Sequence, residues 1–154
     1  MNLFGVMEVS GSALEAERIR AEVVAANMAN AETTRTAAGG PYQRQHVVFT
    51  SEAPRQSFAS QLMGQAGAPG MSGTADDEIG GVRVSAVVAD QGDALRRYDP
   101  GHPDADKDGY VSYPDINPVT EMVDLMGATR AYGLNSSAVQ AEKGMVTASL
   151  DILK

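Results

Sequence analysis

Both ends of this chain are helix-forming and its centre is not, and that division limits what it can fold into. Residues 1–31 are rich in small side chains and close in Val23-Val24-Ala25-Ala26-Asn27-Met28-Ala29-Asn30-Ala31. Residues 118–153 form a second long helical segment that opens Val119-Thr120-Glu121-Met122-Val123-Asp124-Leu125-Met126. Helical ends around a β-rich centre suggest a chain that works by packing its termini against copies and neighbours.

The first helix is expected from about Phe4 to Asn30. Glu8, Glu15 and Glu22 recur every seven residues with Arg18 in reach of the last two, which marks a solvated stripe. Val6, Val9, Leu14, Ile19, Val23, Val24 and Met28 spread over most of the remaining circumference, an arc wider than one partner helix covers. The second helix has a clear start, with Asn117 as N-cap and Pro118 at the first helical position. Tyr132, Val139, Val146 and Leu150 form one apolar face, and Leu134, Ala138, Ala141, Met145, Ala148 and Ile152 another. At 1.5 Å per residue this helix is roughly 50 Å long. Gly127, Gly133 and Gly144 each cost about 1 kcal/mol inside it. Close approach of neighbouring backbones is one compensation; simple marginal stability is the other reading.

Between the helices the spacing predicts strands over Tyr42–Thr50, Val82–Ala89, Ala94–Tyr98 and Tyr110–Tyr113. Asp90-Gln91-Gly92-Asp93 carries turn chemistry ahead of the third strand. Residues 57–81 are rich in Gly, Ala, Ser and Gln, which predicts an extended loop or long hairpin arm. The organisation expected is therefore an N-terminal helix (1–32), a β-rich middle (33–116, with the insert at 57–81) and a C-terminal helix (117–154).

Few large anchors are available for a core. Aromatic residues make up 5% of the chain and Trp is absent, so burial rests on Val, Leu, Met and Ala. There is no Cys, which rules out disulfides, thiol chemistry and Cys-based zinc sites. No stretch approaches the roughly 20 apolar residues of a membrane span. Glu8 interrupts the apolar run that a secretory signal needs and the start is not basic, so Sec-type secretion is not expected. The net charge of −8 is uneven: residues 76–124 hold twelve Asp and Glu against four basic residues, while the ends are nearly neutral. An acidic chain without a basic stripe argues against nucleic-acid binding.

One segment imitates a calcium loop. From Asp104 to Asp115, oxygen ligands fall at loop positions 1, 3 and 5, Gly109 at 6, Val111 at 8 and a carboxylate at 12. The flanks disagree. Pro100 and Pro103 preclude an entering helix, Pro114 disrupts the last ligand turn, and Asp115 is too short for the bidentate Glu role. The bland reading is a polar turn between strands; a small calcium-binding module is the alternative function. His46 and His102 lack paired spacing and read as surface residues. The run Asp76-Asp77-Glu78 reads as a solvated loop. No nucleophile, base or cofactor motif marks an enzyme, and no cofactor is expected. Asn27 and Asn30 read either as a helix-ending polar turn or as buried carboxamides that fix register between helices in an assembly.

The stretch Ala25 to Ala31 resembles the terminal motif of the flagellar rod, hook and hook-associated protein family. Thr33 to Arg44, Tyr98 to Asp106, Gly109-Tyr110-Val111, Pro114 to Asn117 and Glu121 through Tyr132 are similar to its proximal-rod branch, in the same order. The resemblance covers the chain apart from an insert near residues 56–80. It implies a structural, non-enzymatic subunit of the flagellar basal-body rod, a drive shaft crossing the periplasm, exported by the flagellar type III apparatus. It implies terminal helices paired antiparallel as a coiled-coil-like unit in an inner tube, with the acidic middle outside. Expected partners are copies of the chain, other rod proteins and the adaptor joining rod to export gate. The interface residues expected on the first helix are Val9, Leu14, Val23, Asn27, Met28 and Asn30. On the second they are Met122, Met126, Tyr132, Val139, Met145, Val146 and Leu150.

Overall fold

The computed structural model of the chain describes residues 3–52 and 80–152. Helix α1 (Leu3–Ala29) leads into strands β1 (Gln45–Ser51), β2 (Val82–Ala89), β3 (Leu95–Tyr98) and β4 (Tyr110–Tyr113), and the chain closes with helix α2 (Pro118–Ile152). Among the described residues this is an α+β arrangement with two small antiparallel sheets. The acidic run at 76–78 and the expected loop at 57–81, up to residue 79, lie outside the described residues.

Both helix ends are closed by Asn side chains. At the end of α1, Asn30 donates from Nδ2 to the Ala26 carbonyl at 2.9 Å, and the Thr33 hydroxyl donates to Asn30 Oδ1 at 3.1 Å. The Ala26 carbonyl also accepts the Asn30 amide at 3.1 Å, so it takes two donors at the helix end. At the start of α2, the Val119 amide donates to Asn117 Oδ1 at 3.0 Å, the N-cap its sequence implies. Pro118 takes the first helical position, where a missing N–H costs nothing.

Strands β1 and β2 form a ribbon running from Gln45 opposite Ala89 to Ser51 opposite Val82. The register shifts between Val48 and Phe49, leaving Ser85 without an opposite residue, and its hydroxyl donates to the Val48 carbonyl at 3.1 Å. Strands β3 and β4 pair separately, from Leu95 opposite Tyr113 to Tyr98 opposite Tyr110. Gly109 enters β4 at φ 79°, and a Cβ there would sit 2.9 Å from Tyr98 Cε2, so glycine alone fits this turn. The first strand begins at Gln45, three residues later than its sequence predicts. Tyr42 and Arg44 are drawn away from the sheet to partners on the helices.

The ribbon lies against α1, and so does α2; among the described residues α1 is the only helix or strand that α2 packs against. The buried apolar residues are Ala16, Val24, Val111, Ile116 and Ala128, a core of small and medium side chains. No helix among the described residues is long and apolar enough to cross a membrane.

Candidate assembly interface

The two long helices run in opposite directions, since Asn27 meets Glu121 near one end of the pair and Ser10 meets Glu142 near the other. The α2 side of the seam is not one of the apolar faces expected from sequence. Glu121, Ala128, Asn135 and Glu142, spaced seven residues apart, are buried or half-buried, while Leu134, Met145, Leu150 and Ile152 stand exposed. Seven residues bring a straight helix almost round to the same line, so this polar and small stripe is continuous along α2.

A polar cluster pins one end of the pair. Asn27 is 1% exposed and uses its whole carboxamide. Its Nδ2 donates to the Gln45 carbonyl at 2.8 Å and to Glu121 Oε2 at 3.2 Å. Its Oδ1 accepts from the Gln45 amide at 2.9 Å and the Tyr42 hydroxyl at 3.2 Å. One side chain on α1 thereby holds the first residue of β1 and the first turn of α2. Glu121 is 0% exposed and receives Arg44 Nε at 2.7 Å. A second Arg44 nitrogen and Arg20 each lie 3.7 Å from Asp124. Burial, and after it the Glu121 charge, push the Tyr42 phenol above its ordinary 10.0.

The expected interface residues fall into three groups. Asn27 is buried within the chain by the contacts just described. Val9, Leu14, Val23, Met28, Asn30, Val139 and Val146 are half-buried. Met122, Met126, Tyr132, Met145 and Leu150 are exposed. With Val119, Val123, Leu134 and Ile152, they give α2 nine large apolar side chains open to solvent, far more than a helix facing water carries on a monomer. Cβ atoms built at Gly127, Gly133 and Gly144 meet nothing within 4 Å, so no contact among the described residues requires these glycines. Arg44, Glu121 and Glu142 were not among the expected site residues, because a carboxylate on a helix reads first as a solvated one.

The calcium-loop pattern is occupied by the protein itself. Asp104 accepts the Thr34 hydroxyl at 2.8 Å and lies 3.5 Å from Arg35. Asp106 Oδ1 accepts the amides of Asp108 and Tyr110 at 2.9 and 3.0 Å, and its Oδ2 takes Arg96 at 2.6 Å. These bonds, led by that from Tyr110, hold the Asp106 carboxyl below its ordinary 3.8. The segment is the polar turn between β3 and β4. Among the described residues no group of three or more acidic or histidine side chains is arranged to hold a metal ion, and nothing supports the calcium-binding alternative.

Comparison with known proteins agrees with this geometry. The profile of the family described as flagella basal body rod protein matches residues 7–35, and that of the flagellar basal body rod FlgEFG protein C-terminal matches residues 107–152. The flagellar basal-body rod protein FlgC of Bacillus subtilis is 40% identical over 158 residues, covering 100% of both chains. The FlgC proteins of Borreliella burgdorferi and Salmonella typhimurium are 38% and 34% identical, each over at least 98% of both chains. At such identity over the full length, the chain belongs to the flagellar basal-body rod protein FlgC family.

Proposed function

We propose that this structural subunit of the flagellar basal-body rod builds part of the proximal rod, and that its terminal helices form the wall of an inner tube. In that reading residues 1–32 and 117–154 are one helical unit, paired as a coiled-coil-like hairpin, and residues 33–116 lie outside it. The observation that carries the reading is the face of α2, with nine exposed large apolar side chains and, among the described residues, no partner element except α1. A helix so exposed is stabilised by partners on its other sides, here copies of the chain and other rod proteins, with the adaptor to the export gate at the base. Packing on several sides shares load among subunits, so torque is carried as by a rigid shaft. Export through the flagellar type III apparatus and a place across the periplasm complete the reading, and the function is mechanical rather than catalytic.

The test is substitution on the exposed face, with Met126→Glu and Leu150→Glu expressed in the native host in place of the wild-type chain. Both side chains are exposed in the free chain, so its melting temperature should not change. Rod assembly and motility should be lost. Normal motility in both variants would refute the proposed interface.

A further inference from the structure

The sulfur in this chain is concentrated where it is least protected. The sequence has eight Met, no Cys and no Trp, so the thioethers are its most readily oxidised groups. Three of the nine large apolar side chains that α2 leaves open are Met122, Met126 and Met145, exposed by 52%, 63% and 53%. Met7 and Met28 on α1 are half-buried by comparison.

Val119, Met122, Val123 and Met126 stand three and four residues apart, so they form one continuous strip over the first turns of α2. That strip lies on the side of the helix away from Glu121 and Ala128, the buried residues of the seam. No helix or strand among the described residues covers it. A thioether in such a strip packs as a flexible apolar group, whereas its sulfoxide is polar and chiral. A neighbour shaped to an apolar strip offers the added oxygen no donor, and a buried acceptor left unbonded is costly.

We propose that Met122, Met126 and Met145 are a peroxide-oxidation site of the unassembled subunit, and that their sulfoxides keep it from joining the rod. The thioether sulfur attacks one oxygen of hydrogen peroxide, the O–O bond breaks as the S–O bond forms, and the other oxygen leaves as water. The sulfur is oxidised by two electrons and the peroxide is reduced by the same two. Reduction of the sulfoxide back to the thioether restores the apolar strip. The effect on assembly rests on the rod reading above; the site of oxidation does not.

The experiment has two arms. In the first, the purified full chain is treated with hydrogen peroxide and mapped by peptide mass spectrometry. Met122, Met126 and Met145 should each gain one oxygen about tenfold faster than Met7 and Met28. Equal rates at all five overturn the site. In the second arm, the native host carries the chain with all three Met→Gln, a neutral polar stand-in for the sulfoxide, or all three Met→Leu. Gln and Leu both suit an exposed helix position, so both purified variants should keep the wild-type melting temperature. The Gln chain should fail to support motility and the Leu chain should support it. Loss in both would place the defect in side-chain shape rather than polarity, and overturns the effect on assembly. If the Gln chain is motile while Met126→Glu and Leu150→Glu are not, the exposed face of α2 stands as an interface and the oxidation effect alone falls. If those Glu variants are motile as well, it is the rod interface that falls.

Discussion

Arg44 donates through Nε to the Glu121 carboxylate at 2.7 Å, and that carboxylate is completely sealed from solvent. The arginine, itself one-third exposed, is the only full charge compensating it at hydrogen-bond distance among the described residues. Arg44→Met should therefore destabilise the chain by about 2–4 kcal/mol, the lower end reflecting water access through the exposed arginine side. Adding Glu121→Leu to that variant should recover most of the loss, since removing both partners leaves no orphaned charge. Urea denaturation of the single and double variants checks both numbers.

Asn27→Ala should cost about 2–4 kcal/mol, because it strands the Gln45 amide and carbonyl as well as one bond to Glu121. Asn27→Asp should be worse still, since it places a second carboxylate against Glu121. The same denaturation series ranks the two, and faster hydrogen exchange at the Gln45 amide locates the damage.

Gly133→Ala should stabilise the free chain by about 1 kcal/mol, since its Cβ meets open space and alanine is the better helix former. In the assembled rod the sign should reverse if another backbone approaches there. The expected result is a higher melting temperature together with reduced motility. A stabilised, fully motile variant would show that no neighbour needs this glycine.

Gly109→Ala should lose about 1–2 kcal/mol from the left-handed backbone alone, with a further loss from contact with the Tyr98 ring. Tyrosine near-ultraviolet circular dichroism should report the disturbed pairing of Tyr98 and Tyr110, whose rings now meet edge to face at 5.4 Å.

Two groups give the pH dependence opposite signs. The folded-state value of Asp106 lies below 3.8, so its contribution is present above that pH and fades as pH falls through the folded value. Asp106→Asn should remove this acid limb, seen as a loss of pH dependence in the amide signals of Asp108 and Tyr110. Tyr42 is raised above 10.0, so the folded chain keeps that proton longer than the unfolded one. Stability should then fall as pH rises from about 10 through the folded value, and Tyr42→Phe should flatten the fall.

Local chemistry was legible in the sequence, and the packing direction was not. The Asn117 cap, the strands at Val82–Ala89 and Tyr110–Tyr113 and the extents of both helices follow from period, cap and turn residues. The seam does not. Glu8, Glu15 and Glu22 on α1 and Glu121 and Glu142 on α2 share one seven-residue frame, yet the first set faces water and the second is buried. What separates them for Glu121 is Arg44, 77 positions away in the chain. Periodicity within a helix carries no information about that partner. The start of β1 was missed for the same reason, since Tyr42 and Arg44 answer to Asn27 and Glu121 rather than to the strand.

Apolar side chains outside and carboxylates at the seam turn the usual arrangement of a helix pair inside out. If the proposed assembly holds, much of what stabilises such a chain is supplied by surfaces it does not itself contain. By mass action its apparent stability rises with the concentration of those surfaces, whether on copies or on relatives. A subunit added to a growing end meets them at once, whereas the same subunit alone in dilute solution does not. Dilution should therefore loosen its helices at temperatures where the assembled rod is unaffected.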